Sequence, residues 1–207
     1  MSMICYLLAG GLNLFWLGMR HQLSIWMQMS VPVITVGLLA IGGVFGAAGL
    51  PRRRAQRYAQ RMLWVVLLYY LAIVSAMLFF GGLFHLDREW GGAVNLEPFR
   101  TIRNFLRHYQ RTGSLSSLFN LLGNAAILMP LGVLLPLMFR PMRRFWVFLP
   151  FTAMVAVGIE YLQWRTALGV ADVDDSILNF AGAALGYVVT RLCQIICFLF
   201  RKRKKRE

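Results

Sequence analysis

The chain has 207 residues, of which 58% are hydrophobic and 14% charged, with a formal net charge of +14 and a mean hydropathy of +0.60. Soluble domains carry about 25% charged residues, so this composition excludes an ordinary soluble domain and predicts an all-α, polytopic bundle of transmembrane helices. The basic residues cluster beside apolar segments, where anionic lipids supply the counter-charge, and this pattern argues against nucleic-acid binding.

Apolar segments separated by charged residues predict six transmembrane helices, or five if the short first segment does not span the bilayer. In chain order they cover residues 3–19, 27–50, 62–84, 118–139, 145–164 and 176–199. The polar connection 85–117 has room for a short amphipathic segment on the membrane surface. We therefore expect N-terminal membrane segments with a basic loop over 1–61, a four-helix membrane domain over 62–200 and a basic tail over 201–207. The first apolar segment lacks a basic n-region and a cleavage motif, so we expect it to be retained.

The basic clusters predict the orientation in the membrane. Five arginines lie in 52–61, three in 140–144 and six basic residues in 201–206. Under the positive-inside rule these segments are cytoplasmic, facing anionic lipids, and both termini are cytoplasmic as well. The alternating connections then face the outer side of the membrane.

With this orientation, the unusual polar residues near the spans gather at the outer face. Asn95 lies in the long outer connection, and Asn120 and Asn124 lie one helical turn apart at the start of the fourth span. Glu160 and Gln163 share a face at the end of the fifth span, and Arg165 follows in the next loop. An ionisable residue at the end of a span indicates a functional site. The candidates for ligand binding are Asn95, Asn120, Asn124, Glu160, Gln163, Arg165, Asp172, Asp175 and Asn179.

The start of the sixth span carries a polar stripe that continues into glycines. Asp172, Asp175, Asn179, Gly182 and Gly186 recur every three or four residues, which places them on one helical face. The two glycines favour close packing against another helix. A purely structural alternative makes Asp172 the N-cap and Asp175 its capping-box partner. That alternative leaves a third aspartate, Asp174, without a role.

Four motifs in this order resemble the VanZ-like family of small bacterial membrane proteins, which is associated with teicoplanin resistance. They are NLEPF (95–99), NLLGNAAILMPLG (120–132), IEYLQ (159–163) and DVDDSILNFAGAALG (172–186). The family positions that match are Asn95, Pro98, Phe99, Asn124, Pro130, Gly132, Glu160, Gln163, Asp172, Asp175, Asn179 and Gly182. Many members have an arginine just before the aspartate motif, where this sequence has GVA and the nearest arginine is Arg165.

The resemblance implies an envelope protein of the bacterial plasma membrane without an established reaction. The leading hypothesis is a non-catalytic accessory protein that acts at the outer face on a lipoglycopeptide or on a lipid-linked envelope precursor. An alternative is an enzyme acting on a lipid-linked phosphate, with Mg²⁺ as the cofactor. Its candidate metal ligands are Asp172, Asp174, Asp175 and Glu160. A transporter is a third hypothesis, weakened by the lack of a visible inverted repeat.

Overall fold

The computed structural model describes residues 2–19, 34–36, 38–39, 41–43, 45–48, 50–76, 94–166 and 171–203. These residues form two compact units, Met1–Ser75 and Ala76–Glu207. The first unit contains α1 (Ser2–Met19), α2 (Ile34–Ala47) and α3 (Arg52–Ser75). The second contains β1 (Val94–Asn95), α4 (Arg100–Thr112), α5 (Leu115–Met138), a 3-10 turn (Pro141–Arg143), α6 (Phe145–Arg165), β2 (Ala171–Asp172) and α7 (Val173–Arg203).

Four of the described helices are long and apolar enough to cross a membrane. They are Arg52–Ser75, Leu115–Met138, Phe145–Arg165 and Val173–Ile196, and two shorter apolar helical stretches cover Ser2–Asn13 and Ile34–Ala47. The prediction of an all-α membrane bundle is confirmed. Residues 27–33 and 77–84 of the predicted second and third spans lie outside the described residues.

Helices extend into two basic segments that were predicted as a loop and a tail. The arginine-rich segment 52–61 forms the first turns of α3, directly after Pro51. At the other end, α7 continues through Arg203. Arginine, alanine and glutamine are good helix formers, so charge alone does not end a helix here. The prediction that the whole of 52–61 is a loop is therefore wrong.

In the first unit, polar side chains connect the three apolar helices. Asn13 of α1 donates from Nδ2 to Thr35 Oγ1 at 3.0 Å and accepts on Oδ1 from the Tyr69 hydroxyl of α3 at 2.7 Å. The hydroxyls of Tyr6 in α1 and Tyr58 in α3 lie 2.6 Å apart. Interhelical hydrogen bonds of this kind help hold helices together in lipid.

In the second unit, α5 and α7 pack with their backbones close together. A Cβ added at Gly182 would overlap the carbonyl oxygen of Ala125, and one added at Gly186 would overlap the carbonyl oxygen of Met129. Likewise, a Cβ at Gly132 of α5 would overlap the carbonyl oxygen of Ala183. Because glycine has no Cβ, the two helices approach closely along this line and van der Waals contact replaces lipid.

Aromatic side chains pack beside the turn between α5 and α6. Phe148 of α6 is fully buried and stacks on Tyr187 of α7 with ring centroids 4.5 Å apart. The Tyr187 hydroxyl donates to the carbonyl oxygen of Arg143 at 2.8 Å, and Arg143 Nε donates to the carbonyl oxygen of Pro136. These bonds satisfy backbone groups in the turn between α5 and α6, where helical hydrogen bonding is interrupted.

Candidate functional site

A two-residue parallel strand pair brings two distant segments together at one end of the second unit. Val94 pairs with Ala171 and Asn95 pairs with Asp172, so β1 lies directly beside the start of α7. The side chain of Asn95 reinforces the pair, since its Nδ2 donates to Asp172 Oδ1 at 3.0 Å. The NLEPF segment and the aspartate motif therefore belong to the same cluster.

Asp172 is the centre of this cluster. Its Oδ1 accepts the backbone N–H of Asp174 at 2.9 Å, which is the hydrogen bond of a helix N-cap, and its Oδ2 accepts the Thr101 hydroxyl of α4 at 2.5 Å. Its own backbone N–H donates to Glu160 Oε2 at 3.1 Å. Each oxygen of the Asp172 carboxylate thus has a donor from the protein itself.

The capping-box alternative is correct for one partner and wrong for the other. Asp172 caps α7 as expected, but the reciprocal acceptor for its N–H is Glu160 from α6 and not Asp175. Glu160 is 7% exposed. The bond from the Asp172 N–H to Glu160 thus replaces the bond to Asp175 that a capping box would have.

Asp174 caps a different helix, which explains the third aspartate of the motif. Its Oδ1 accepts the backbone N–H of Phe99 at 2.5 Å, and its Oδ2 accepts that of Ile102 at 3.1 Å. Both are orphan amides at the N-terminus of α4, where no intrahelical acceptor exists. The carboxylate is fully buried, at 0% exposure, and its negative charge lies at the positive end of the α4 dipole.

This capping holds Phe99 in an unusual backbone conformation. Phe99 has φ 63° and ψ 10°, the left-handed region that non-glycine residues seldom adopt. The turn costs about 1–2 kcal/mol relative to a right-handed residue. Strain of this size persists when surrounding contacts fix the conformation, and here the carboxylate of Asp174 supplies them.

The polar stripe of α7 continues below the caps toward α5. Asn124 Nδ2 of α5 donates to Asp175 Oδ1. One turn further, Asn179 is 2% exposed, and its Oδ1 has no hydrogen-bond partner among the residues that the structure describes. A buried acceptor without a donor costs about 1–3 kcal/mol. The stripe thus passes from hydrogen-bonded aspartates to a buried amide oxygen that has no donor among the described residues.

The structure brings together some of the predicted candidates. Asn95 and Glu160 bond to Asp172, Asn124 and Asp175 form a separate pair between α5 and α7, and Asn179 is buried one turn further along α7. Asn120 is exposed to the surroundings, Gln163 is half-buried and Arg165 lies exposed in the last turn of α6.

The sequence reasoning missed Thr101 and the backbone amides of Phe99 and Ile102. The third aspartate was the signal, because a buried acidic group needs donors that its own helix did not provide. Within the described part of the chain, no group of three or more His, Cys, Asp or Glu side chains is arranged to hold a metal ion. The hypothesis of Mg²⁺ bound by Asp172, Asp174, Asp175 and Glu160 stays a prediction.

Comparison with known proteins identifies one family. The VanZ/LLP1 family model matches residues 62–194 of this chain, a range that includes α5, α6, both strands and most of α7. No curated protein and no solved structure matches the chain.

Proposed function

The chain belongs to the VanZ/LLP1 family, and we propose that it is a non-catalytic accessory protein of the bacterial cell envelope. In this proposal it lies in the plasma membrane with both termini in the cytoplasm. Its polar cluster faces outward, where the protein alters susceptibility to teicoplanin-type glycopeptides or the handling of lipid-linked envelope precursors.

The observation that carries the non-catalytic assignment is the burial and hydrogen bonding of Asp172 and Asp174. A carboxylate that acts as a base, nucleophile or metal ligand must be within reach of the reacting group, whereas Asp172 is 9% exposed and Asp174 is 0% exposed. All four oxygens of these two aspartates accept hydrogen bonds from the protein's own donors. Such a network rigidifies a structure, and this supports a positioning role for the cluster.

What the cluster positions is α4. Asp174 caps the N-terminus of α4. Thr101, in the first turn of α4, donates its hydroxyl hydrogen to Asp172 and accepts a hydrogen bond from Asn95 at 3.1 Å. The helix carries arginines at positions 100, 103, 107 and 111. The proposed activity therefore depends on presenting this basic helix at the membrane face.

Expression in a teicoplanin-sensitive bacterium tests the proposal. We expect the wild-type chain to raise the inhibitory concentration of teicoplanin, and Asp174→Ala to abolish the increase because α4 loses its anchor. Glu207→Gln is the control for the lost charge, since it removes one acidic charge at a position remote in sequence from the cluster. Membrane levels of each variant are measured by immunoblot. An unchanged inhibitory concentration with wild-type protein present in the membrane contradicts the proposal.

A further inference from the structure

The arginines of α4 form a continuous basic face. Arg100, Arg103, Arg107 and Arg111 are spaced by three, four and four residues, so they lie on one side of the helix. Half-buried Ile102, Phe105 and Tyr109 lie on the other side. The apolar side faces the bundle, and the arginine side is left exposed.

An open polar cavity lies along this basic face. It has a volume of about 390 Å³ and is lined by Glu97, Arg100, Arg103, Asn104 and Arg107. Glu97 lies 3.8 Å from Arg100 and 3.5 Å from Arg103, and each of these side chains is more than half exposed. Exposed ion pairs of this kind contribute little, so a stronger anion can displace Glu97 from the guanidinium groups.

The charge of the cavity matches an anion with about two negative charges. Three arginines against one glutamate leave a net charge of +2. Guanidinium groups bind phosphate oxygens in bidentate geometry. A phosphomonoester carries about 1.5 to 2 negative charges at neutral pH, whereas the phosphodiester of an ordinary anionic phospholipid carries one.

Exposed apolar side chains beside the cavity favour an anion attached to a lipid. Leu96 is 77% exposed and Phe99 54% exposed, on either side of Glu97 in the turn that leads into α4. Leu106, at the edge of the arginine face, is 41% exposed. In a protein whose neighbouring helices are built to cross a bilayer, these side chains suit acyl or prenyl chains, and a free anion would make no use of them.

We propose that the cavity of Arg100, Arg103 and Arg107 binds a lipid-attached phosphate group carrying about two negative charges. The inference deepens the proposed function, on which it rests for the side of the membrane that the cavity faces. Glu97 forms ion pairs with Arg100 and Arg103 when the lipid is absent, and the lipid phosphate replaces the Glu97 carboxylate in these pairs.

Binding of fluorescent phosphatidic acid to the full-length chain in neutral detergent micelles tests this proposal. We expect Arg103→Gln with Arg107→Gln to weaken the apparent Kd by about ten-fold or more, since two charge-assisted contacts are lost. The matched control is Arg140→Gln with Arg144→Gln, which removes the same charge from exposed positions beyond the other end of α5. This control pair is expected to leave the Kd unchanged. Glu97→Gln is expected to tighten binding.

Competition identifies the source of the phosphate. Unlabelled phosphatidic acid is expected to displace the probe, while phosphatidylglycerol and inorganic phosphate at equal concentration are not. Equal weakening by both arginine pairs, or displacement by phosphatidylglycerol, would show general attraction to anionic lipid and overturn the proposal. Displacement by inorganic phosphate would show a site for free anions and overturn it too.

The binding assay contains no antibiotic, so its outcome is separable from the susceptibility test. If Arg103→Gln with Arg107→Gln loses lipid binding while teicoplanin susceptibility stays at the wild-type value, the lipid site stands and the link to the proposed function fails. If susceptibility changes while lipid binding does not, the lipid site is wrong and the accessory role stands.

Discussion

Replacing Asp174 by alanine is expected to release the N-terminus of α4 from the bundle. In the wild-type chain the buried carboxylate accepts the amides of Phe99 and Ile102, and nothing in an alanine side chain can replace either bond. The strained turn at Phe99 loses its support in the same step. Because α5 and α7 pack through their own glycine contacts, the change is local to the segment around α4.

The structure sets the size of this effect. A hydrogen bond to a charged group contributes about 1.5–3 kcal/mol, and two are lost, giving an upper range of about 3–6 kcal/mol. Phe99 is more than half exposed, so in the variant we expect water to reach its amide and recover part of the loss. We therefore expect local destabilisation of about 3 kcal/mol, which corresponds to amide exchange faster by about 100-fold.

Hydrogen exchange of the detergent-solubilised chain, followed by mass spectrometry, measures this directly. Peptides covering residues 97–107 are expected to exchange faster in Asp174→Ala, and peptides from the centre of α5 are not. Asp174→Asn retains one acceptor oxygen, so its exchange rate is expected to lie between those of the wild-type chain and Asp174→Ala. Glu207→Gln again serves as the control for a lost negative charge. Exchange of residues 97–107 in Asp174→Ala within about three-fold of this control, less than 1 kcal/mol, would refute the anchoring argument.

Two further predictions concern the contact between α5 and α7, measured by unfolding in mixed detergent and SDS micelles. Gly182→Ala is expected to destabilise the bundle by about 1–3 kcal/mol because the new Cβ overlaps the α5 backbone. Gly123→Ala is the control, and it is not expected to destabilise because the space around its Cβ is open. Equal effects of the two variants would contradict the close approach of α5 and α7. Asn124→Ala is expected to cost about 1 kcal/mol through loss of its bond to Asp175, and exposed Asn120→Ala to cost nothing measurable. Indistinguishable stabilities for these two asparagine variants would contradict the assigned hydrogen bond.

Local sequence patterns predicted the all-α membrane architecture and the shared face of α7. Long apolar runs have few alternatives to helix in a bilayer, and a three-to-four-residue spacing places Asp175, Asn179 and Gly182 on one side of α7. The same reasoning misjudged 52–61, because clustered arginines indicate a membrane boundary without ending a helix.

The connections between distant segments could not be predicted in this way. Pairing of Asn95 with Asp172 joins residues 77 positions apart, and the two-residue strands have no periodicity to detect. The partner exchange at Asp172, where Glu160 replaces Asp175, depends on how α6 packs against α7. Local spacing identified which residues are polar at this end of the bundle, but tertiary packing determined which of them meet.

We propose that α4 and the polar cluster lie at the outer face of the plasma membrane, opposite the turn between α5 and α6. Cysteine labelling in intact bacteria tests it, using variants in which the native Cys5, Cys193 and Cys197 are replaced by alanine. Gln110→Cys on the exposed surface of α4 is expected to react with a membrane-impermeant maleimide in intact cells, and Arg140→Cys only after the membrane is permeabilised. The opposite pattern, with position 140 labelled in intact cells and position 110 protected, would contradict the account.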